Sequence, residues 1–168
     1  MDKILKLAIL CLSLFAITCF ADTLALSARL KIEHPAPNLS IHTRSGLIVK
    51  YTDEKLFMHV IVEPKNVYPK IDLTGKAELY IRSIFDEEKR GKLSKELADL
   101  SKEQADQFGV TPNNVYRSKV GNSDAIAVYN SSDKKGQIFV FEEFTIHQIY
   151  THGSKEDHDQ FLHSIKER

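Results

Sequence analysis

Four histidines, His147, His152, His158 and His163, fall within 17 residues, and Glu156, Asp157 and Asp159 lie among them. Imidazole nitrogens and carboxylate oxygens are the ligands of zinc and related ions, so this stretch is where a metal centre or a small metal-dependent enzyme would be built. The spacing works against a shared ion on one helix. His158 and His163 are five apart, roughly 500° of helical rotation, which leaves about 140° between their faces, unlike the i, i+4 pair of a helical zinc site. His147 and His152 meet only if a sheet end abuts a helix start.

Other chemistries have still less support. There is no Gly-x-Ser-x-Gly and no Ser-x-x-Lys with its companion motifs, and Ser94-Lys95 and Ser101-Lys102 read as ordinary helix content. Glu142 and Glu143 are adjacent and would point to opposite faces of a regular strand, a poor acid–base pair and a better marker of a sheet edge or bulge. No glycine-rich phosphate cradle occurs. Basic residues alternate with acidic ones along the expected helices, giving no stripe for a nucleic-acid backbone. Asn38-Leu39-Ser40 and Asn130-Ser131-Ser132 match the glycosylation pattern, which matters only in a eukaryotic secretory route. Phe139, Phe141 and Phe144 could line a ligand groove, with core packing the simpler reading.

These residues belong to a chain of 168 with 23 Lys+Arg against 23 Asp+Glu, 42% hydrophobic and 27% charged, the composition of an ordinary globular domain. Its first residues form an address. Lys3 and Lys6 precede a mostly apolar run from Leu7 to Phe20, and Ala21 follows. Those 14 residues reach only about 21 Å as a helix, short of the roughly 30 Å hydrocarbon core, so a removable signal peptide of residues 1–21, cleaved after Ala21, is expected rather than a stable span. Ala16-Ile17-Thr18-Cys19 offers a loose lipobox as the alternative, with Cys19 as a lipid anchor. Cleavage leaves 22–168 as a single domain. Cys11 and Cys19 both go with the leader, so no disulfide can staple what remains.

The elements that must position any site follow from periodicity. Strands are expected near 28–33, 39–43, 46–51 and 55–63. In the last, Leu56, Met58, Val60 and Val62 share one face and Phe57, His59 and Ile61 the other, both apolar enough to suggest cover on two sides. Ala77, Tyr80, Ile81, Ile84 and Phe85 make the buried stripe of a helix, for which Asp72 or Thr74 supplies an N-cap. The helix is expected to carry Asp86–Arg90 and Glu88–Lys92 pairs on a solvated end. A second helix runs from about Ser94 to Gln107 and stops at Gly109. A short strand at 115–119 precedes a hairpin, Ala125–Tyr129 with Gln137–Glu142. The stretch 137–150 forms either one bulged strand, the preferred reading, or two. Ser154 and Asp157 open a terminal helix by a capping pattern, Phe161, Leu162 and Ile165 form its buried side, and Lys166 and Arg168 suit its C-terminal end.

Strands, helices, strands and a helix in that order define an α+β fold, a mainly antiparallel sheet with helices on both faces, an α/β/α sandwich. The hairpin segments Gly46–Tyr51 and Leu56–Val62, the strand Gly136–Phe141 and the closing helix Glu156–Lys166 resemble the Mog1/PsbP/DcrB-like group of small α/β/α proteins. That resemblance implies an adaptor, assembly or envelope role and carries over no catalytic residue. The expected function is an exported, periplasmic or secreted, non-enzymatic binding or assembly protein, with an unknown protein or small molecule of the cell envelope as partner. The alternatives are a small periplasmic metal-binding protein or enzyme using the C-terminal His/acidic cluster, and a small-ligand carrier. No catalytic, cofactor-binding or metal residue is assigned, no cofactor is called for, and neither nucleic acid nor a stable membrane span after processing is expected.

Overall fold

A computed structural model describes residues 21–43, 46–52, 54–67 and 71–168. The leader with Cys19, and the turn positions Arg44, Ser45, Asp53 and Tyr68 to Lys70, lie outside the described residues. Among the described residues ten strands form two sheets. The smaller holds β1 (Ala21–Ala25), β2 (Leu30–Pro35) and β10 (Ile165–Glu167) in the order β1-β2-β10. The larger is antiparallel throughout, in the order β3-β4-β5-β9-β8-β7-β6, from β3 (Leu39–His42), β4 (Gly46–Lys50), β5 (Leu56–Ile61), β6 (Val115–Val120), β7 (Ser123–Asn130), β8 (Lys135–Phe141) and β9 (Ile146–His152). The helices are α1 (Ala77–Ile84), the single turn α2 (Glu87–Arg90), α3 (Lys95–Gln107) and α4 (Lys155–Ser164). The chain is therefore α+β with antiparallel sheets, and none of the described helices is long and apolar enough to cross a membrane.

Alternation along β7 and β8 divides the core in two. Ala125, Ala127, Ile138 and Val140 join Val49, Phe57 and Ile149 on one face, against Ile32 of β2, Phe161 and Leu162 of α4, and Ile165 of β10. Ile126, Val128, Phe139 and Phe141 point the other way, onto Tyr80, Ile81 and Ile84 of α1 and Leu97 and Ala105 of α3. The two helices approach closely where Ser83 and Ser101, both fully buried, place their hydroxyl oxygens 2.8 Å apart.

Several local expectations are corrected. Residues 137–150 are two strands, because Glu142 to Thr145 make a tight turn in which the Glu142 N–H donates to the Thr145 carbonyl at 2.9 Å, and β8 and β9 then pair antiparallel. Phe144 sits on that turn, 90% exposed, and takes no part in the aromatic core of Phe139 and Phe141. Asp72 and Thr74 do not cap α1: Asp72 accepts the Thr74 N–H, Gly75 adopts φ +73°, and the helix begins only after Lys76 without a side-chain cap. The charged run is not a continuation of α1. Asp86 caps α2 by accepting the Lys89 N–H, and Arg90 turns inward to the Ile84 carbonyl and Ser101, so the Asp86–Arg90 pair is absent while Glu88–Lys92 forms at 2.9 Å.

The terminal helix keeps its start and loses its end. Ser154 and Asp157 form the expected capping box. Ile165 leaves helical geometry, at φ −73° and ψ 122°, to pair with Ile32, so Lys166 lies on an edge strand rather than at a helix terminus. The two-sided cover expected for β5 is only half right. Phe57 and His59 are buried on the inner face, whereas Met58 on the other face is 37% exposed, because α1 and α3 lie over β7 and β8 and stop short of it; Ile61, at the strand end, is 43% exposed.

Candidate functional site

The structure disperses the histidines that the sequence groups. His147 and His152 are five apart on β9 and point to opposite faces of the sheet. His158 is buried under α4 with Nδ1 2.8 Å from the Thr151 hydroxyl, and exposed His163 hydrogen-bonds the Asp159 carbonyl. Asp157 is taken up by Lys55 at 2.6 Å and Asp159 by Lys155 at 2.5 Å. Burial alone would raise the Asp157 carboxyl; hydrogen bonds from Lys55 and Ser154 outweigh it and hold the group below its ordinary range. Among the described residues no three of His, Cys, Asp or Glu are gathered so as to hold a metal ion.

His147 instead meets a residue the sequence reading left unassigned. His59, on the inner face of β5, donates from Nε2 to His147 Nδ1 at 2.9 Å, and His147 Nε2–H donates to Glu142 at 2.8 Å. Ser27, from the β1–β2 turn, donates to the other Glu142 oxygen at 3.1 Å. These directions are those of one tautomer of each ring, taken with a carboxylate that only accepts. Burial, assisted by the neighbouring His147, lowers His59 to about 4. The order of these groups differs from that of a nucleophile relay. In a nucleophile relay the imidazole stands between hydroxyl and carboxylate. Here Glu142 stands between Ser27 and His147, and the Ser27 oxygen already accepts the Arg29 and Leu30 N–H groups. The alternation Phe57-His59-Ile61 did place a histidine on an apolar face, which was the available signal; its partner 88 residues away was not readable.

His158 is treated similarly: burial lowers it to about 4. Its room comes from Gly136, where an added Cβ would run into His158 Nδ1 and the Thr151 hydroxyl.

The opposite face of β5 and β9 holds the concave feature. A groove of about 370 Å³ opens where α1 and α3 end over the sheet, walled by Val60, Val62, Tyr80, Ile84, Phe108 and Phe139, with Gln104 and Gln148 at its polar side. It adjoins a strip of the same sheet face that none of the described helices covers: Ile41, Ile48, Met58 and Tyr150 are register partners in one row across β3, β4, β5 and β9. Phe139 is thus both core and wall, which joins the two roles its position in the sequence allows. A second, polar hollow at the start of α4 is lined by Lys55, Lys134, His152 and Asp157, but Ser154 and Asp157 already satisfy the helix N-terminus there.

No protein-family profile and no curated protein sequence matches this chain.

Proposed function

We propose that this chain is an exported, periplasmic or secreted, binding protein that acts by non-covalent recognition, and that its ligand is a small molecule with an apolar body held in the groove between β5–β9 and helices α1 and α3. The observation that carries this reading is the half-covered sheet face. Apolar side chains there run from solvent into a concave site of about 370 Å³ with a few amide groups on one side, the size and composition of a small-ligand pocket. The reading of residues 1–21 as a signal peptide supports export, and Lys3, Lys6, the Leu7–Phe20 run and Ala21 are its basis. Clusters on both faces of the large sheet, with α1 and α3 on one side and α4 on the other, support an α/β/α sandwich of the Mog1/PsbP/DcrB-like kind, whose adaptor and envelope roles agree with binding rather than catalysis.

Native mass spectrometry of protein isolated from the envelope of its host tests this, together with titration by a solvatochromic naphthylamine dye. The expected result is a co-purified small molecule, or dye binding near one equivalent, weakened at least about tenfold by Val60→Trp, which fills the groove. Bare protein that takes up no dye, or dye uptake unchanged by Val60→Trp, overturns the groove assignment. Accumulation of the intact chain in the cytosol overturns export.

A further inference from the structure

The two edges of the large sheet are finished differently. β6 carries Arg117 and Lys119, one bonded to the Phe85 carbonyl and the other to Asp124. Charged edge side chains of this kind oppose pairing with another strand. Asn38 to Thr43, which contain β3, have no Asp, Glu, Lys or Arg. All four β3 residues are exposed, with Leu39 at 49% and Ile41 at 44%. An edge with neutral side chains and two apolar ones on one face invites strand addition.

We propose that β3 pairs antiparallel with β3 of a second copy of this chain, about a twofold axis at Ile41. The hydrogen-bond pattern admits that register, and the meeting of the two Ile41 side chains on one face selects it. The Thr43 N–H donates to the Gly46 carbonyl at 2.8 Å, so Thr43 and Ile41 turn their main-chain groups toward β4, while Ser40 and His42 turn theirs outward. A twofold at Ile41 sets each Ser40 opposite the other copy's His42, so four outward N–H and C=O pairs meet, and the two Ile41 side chains face each other at a non-hydrogen-bonded site. No like charges oppose across the axis. The strips formed by Ile41, Ile48 and Met58 in the two copies then join on one face of a fourteen-stranded sheet, twice the seven strands of one copy. The strand is short, so the dimer is weak, with a dissociation constant in the range of roughly 1–100 μM. The groove stays open, so this pairing and ligand binding stand or fall separately.

Sedimentation velocity of the purified chain across concentration is the first test. We expect reversible dimers, with dissociation made at least about tenfold easier by Ile41→Lys, which sets two cations on the axis, and unchanged by Tyr116→Lys on the β6 edge. Oxidation supplies the register: with C11S and C19S in the background, Ile41→Cys should cross-link to itself, since such a site brings Cα atoms to about 4.5 Å, whereas Leu39→Cys should not. A chain that stays monomeric to about 1 mM, a dimer indifferent to Ile41→Lys, or equal cross-linking at both positions overturns the proposal. A circular-dichroism melt of each variant verifies that a lost dimer is not a lost fold.

Discussion

One row of side chains crosses the large sheet from solvent to core. Ile41, Ile48, Met58 and Tyr150 stand at its open end, and Gln137 and Val128 continue the register to where α1 and α3 lie. The β3–β5 half and the β7–β8 half of this face are built from similar apolar residues, yet Met58 is 37% exposed and Phe139 is 1%. Pleating assigns a side chain to a face; only the packing of distant helices decides whether that face is dry. The groove lies at this boundary, as a site must if it is to combine apolar walls with an opening.

Substitutions can break or sharpen this contrast. Phe139→Ala on the covered half should cost ~3–5 kcal/mol in urea unfolding, through lost transfer energy and a residual cavity; a loss near that of an exposed residue would mean the helices do not seal this half. His147→Ala acts on the inner face, stranding a largely buried Glu142 and unpartnering His59, and should cost ~2–4 kcal/mol by the same measurement.

A pH titration of stability probes the inner face without mutation. His59 and His158 both lie on the inner face, and both titrate near 4 folded against about 6.5 unfolded. Between those values the unfolded chain binds more protons, so stability is full above about 6.5 and falls as pH drops toward 4, by up to ~3 kcal/mol for each group. His59→Phe should halve that slope. An unchanged slope would place the titration elsewhere.

Smaller effects complete the series. Ser154→Ala should cost ~1 kcal/mol by removing the capping box of α4, read from the thermal midpoint. Met58→Ser on the open half should change stability by less than ~0.5–1 kcal/mol. A larger loss there would show that the strip is covered in solution.

Local patterns were legible where they were sufficient. The stripe from Ala77 to Ile84, the stop at Gly109, the β7–β8 hairpin and the Ser154–Asp157 cap each depend on residues within a few positions of one another. Failures had a common cause. Ile165 fits a helical stripe, but the free edge of β2 competes for it and wins. Glu142-Glu143 looks like a bulge until the pairing of β8 with β9 makes it a turn. Phe144 matches its aromatic neighbours in type and faces water because it occupies that turn.

Neighbours in the chain were enough to set the stripe of α1, the alternation along β5, β7 and β8, the cap of α4 and the lack of any cysteine beyond Cys19. Tertiary structure alone brought His59 to His147, left Ile41 and Met58 exposed on one sheet face and opened the groove. Those outcomes depend on which segments meet across tens of residues, and burial, which sets both proton affinity and ligand access, is a property of the assembled layers rather than of any stretch of chain.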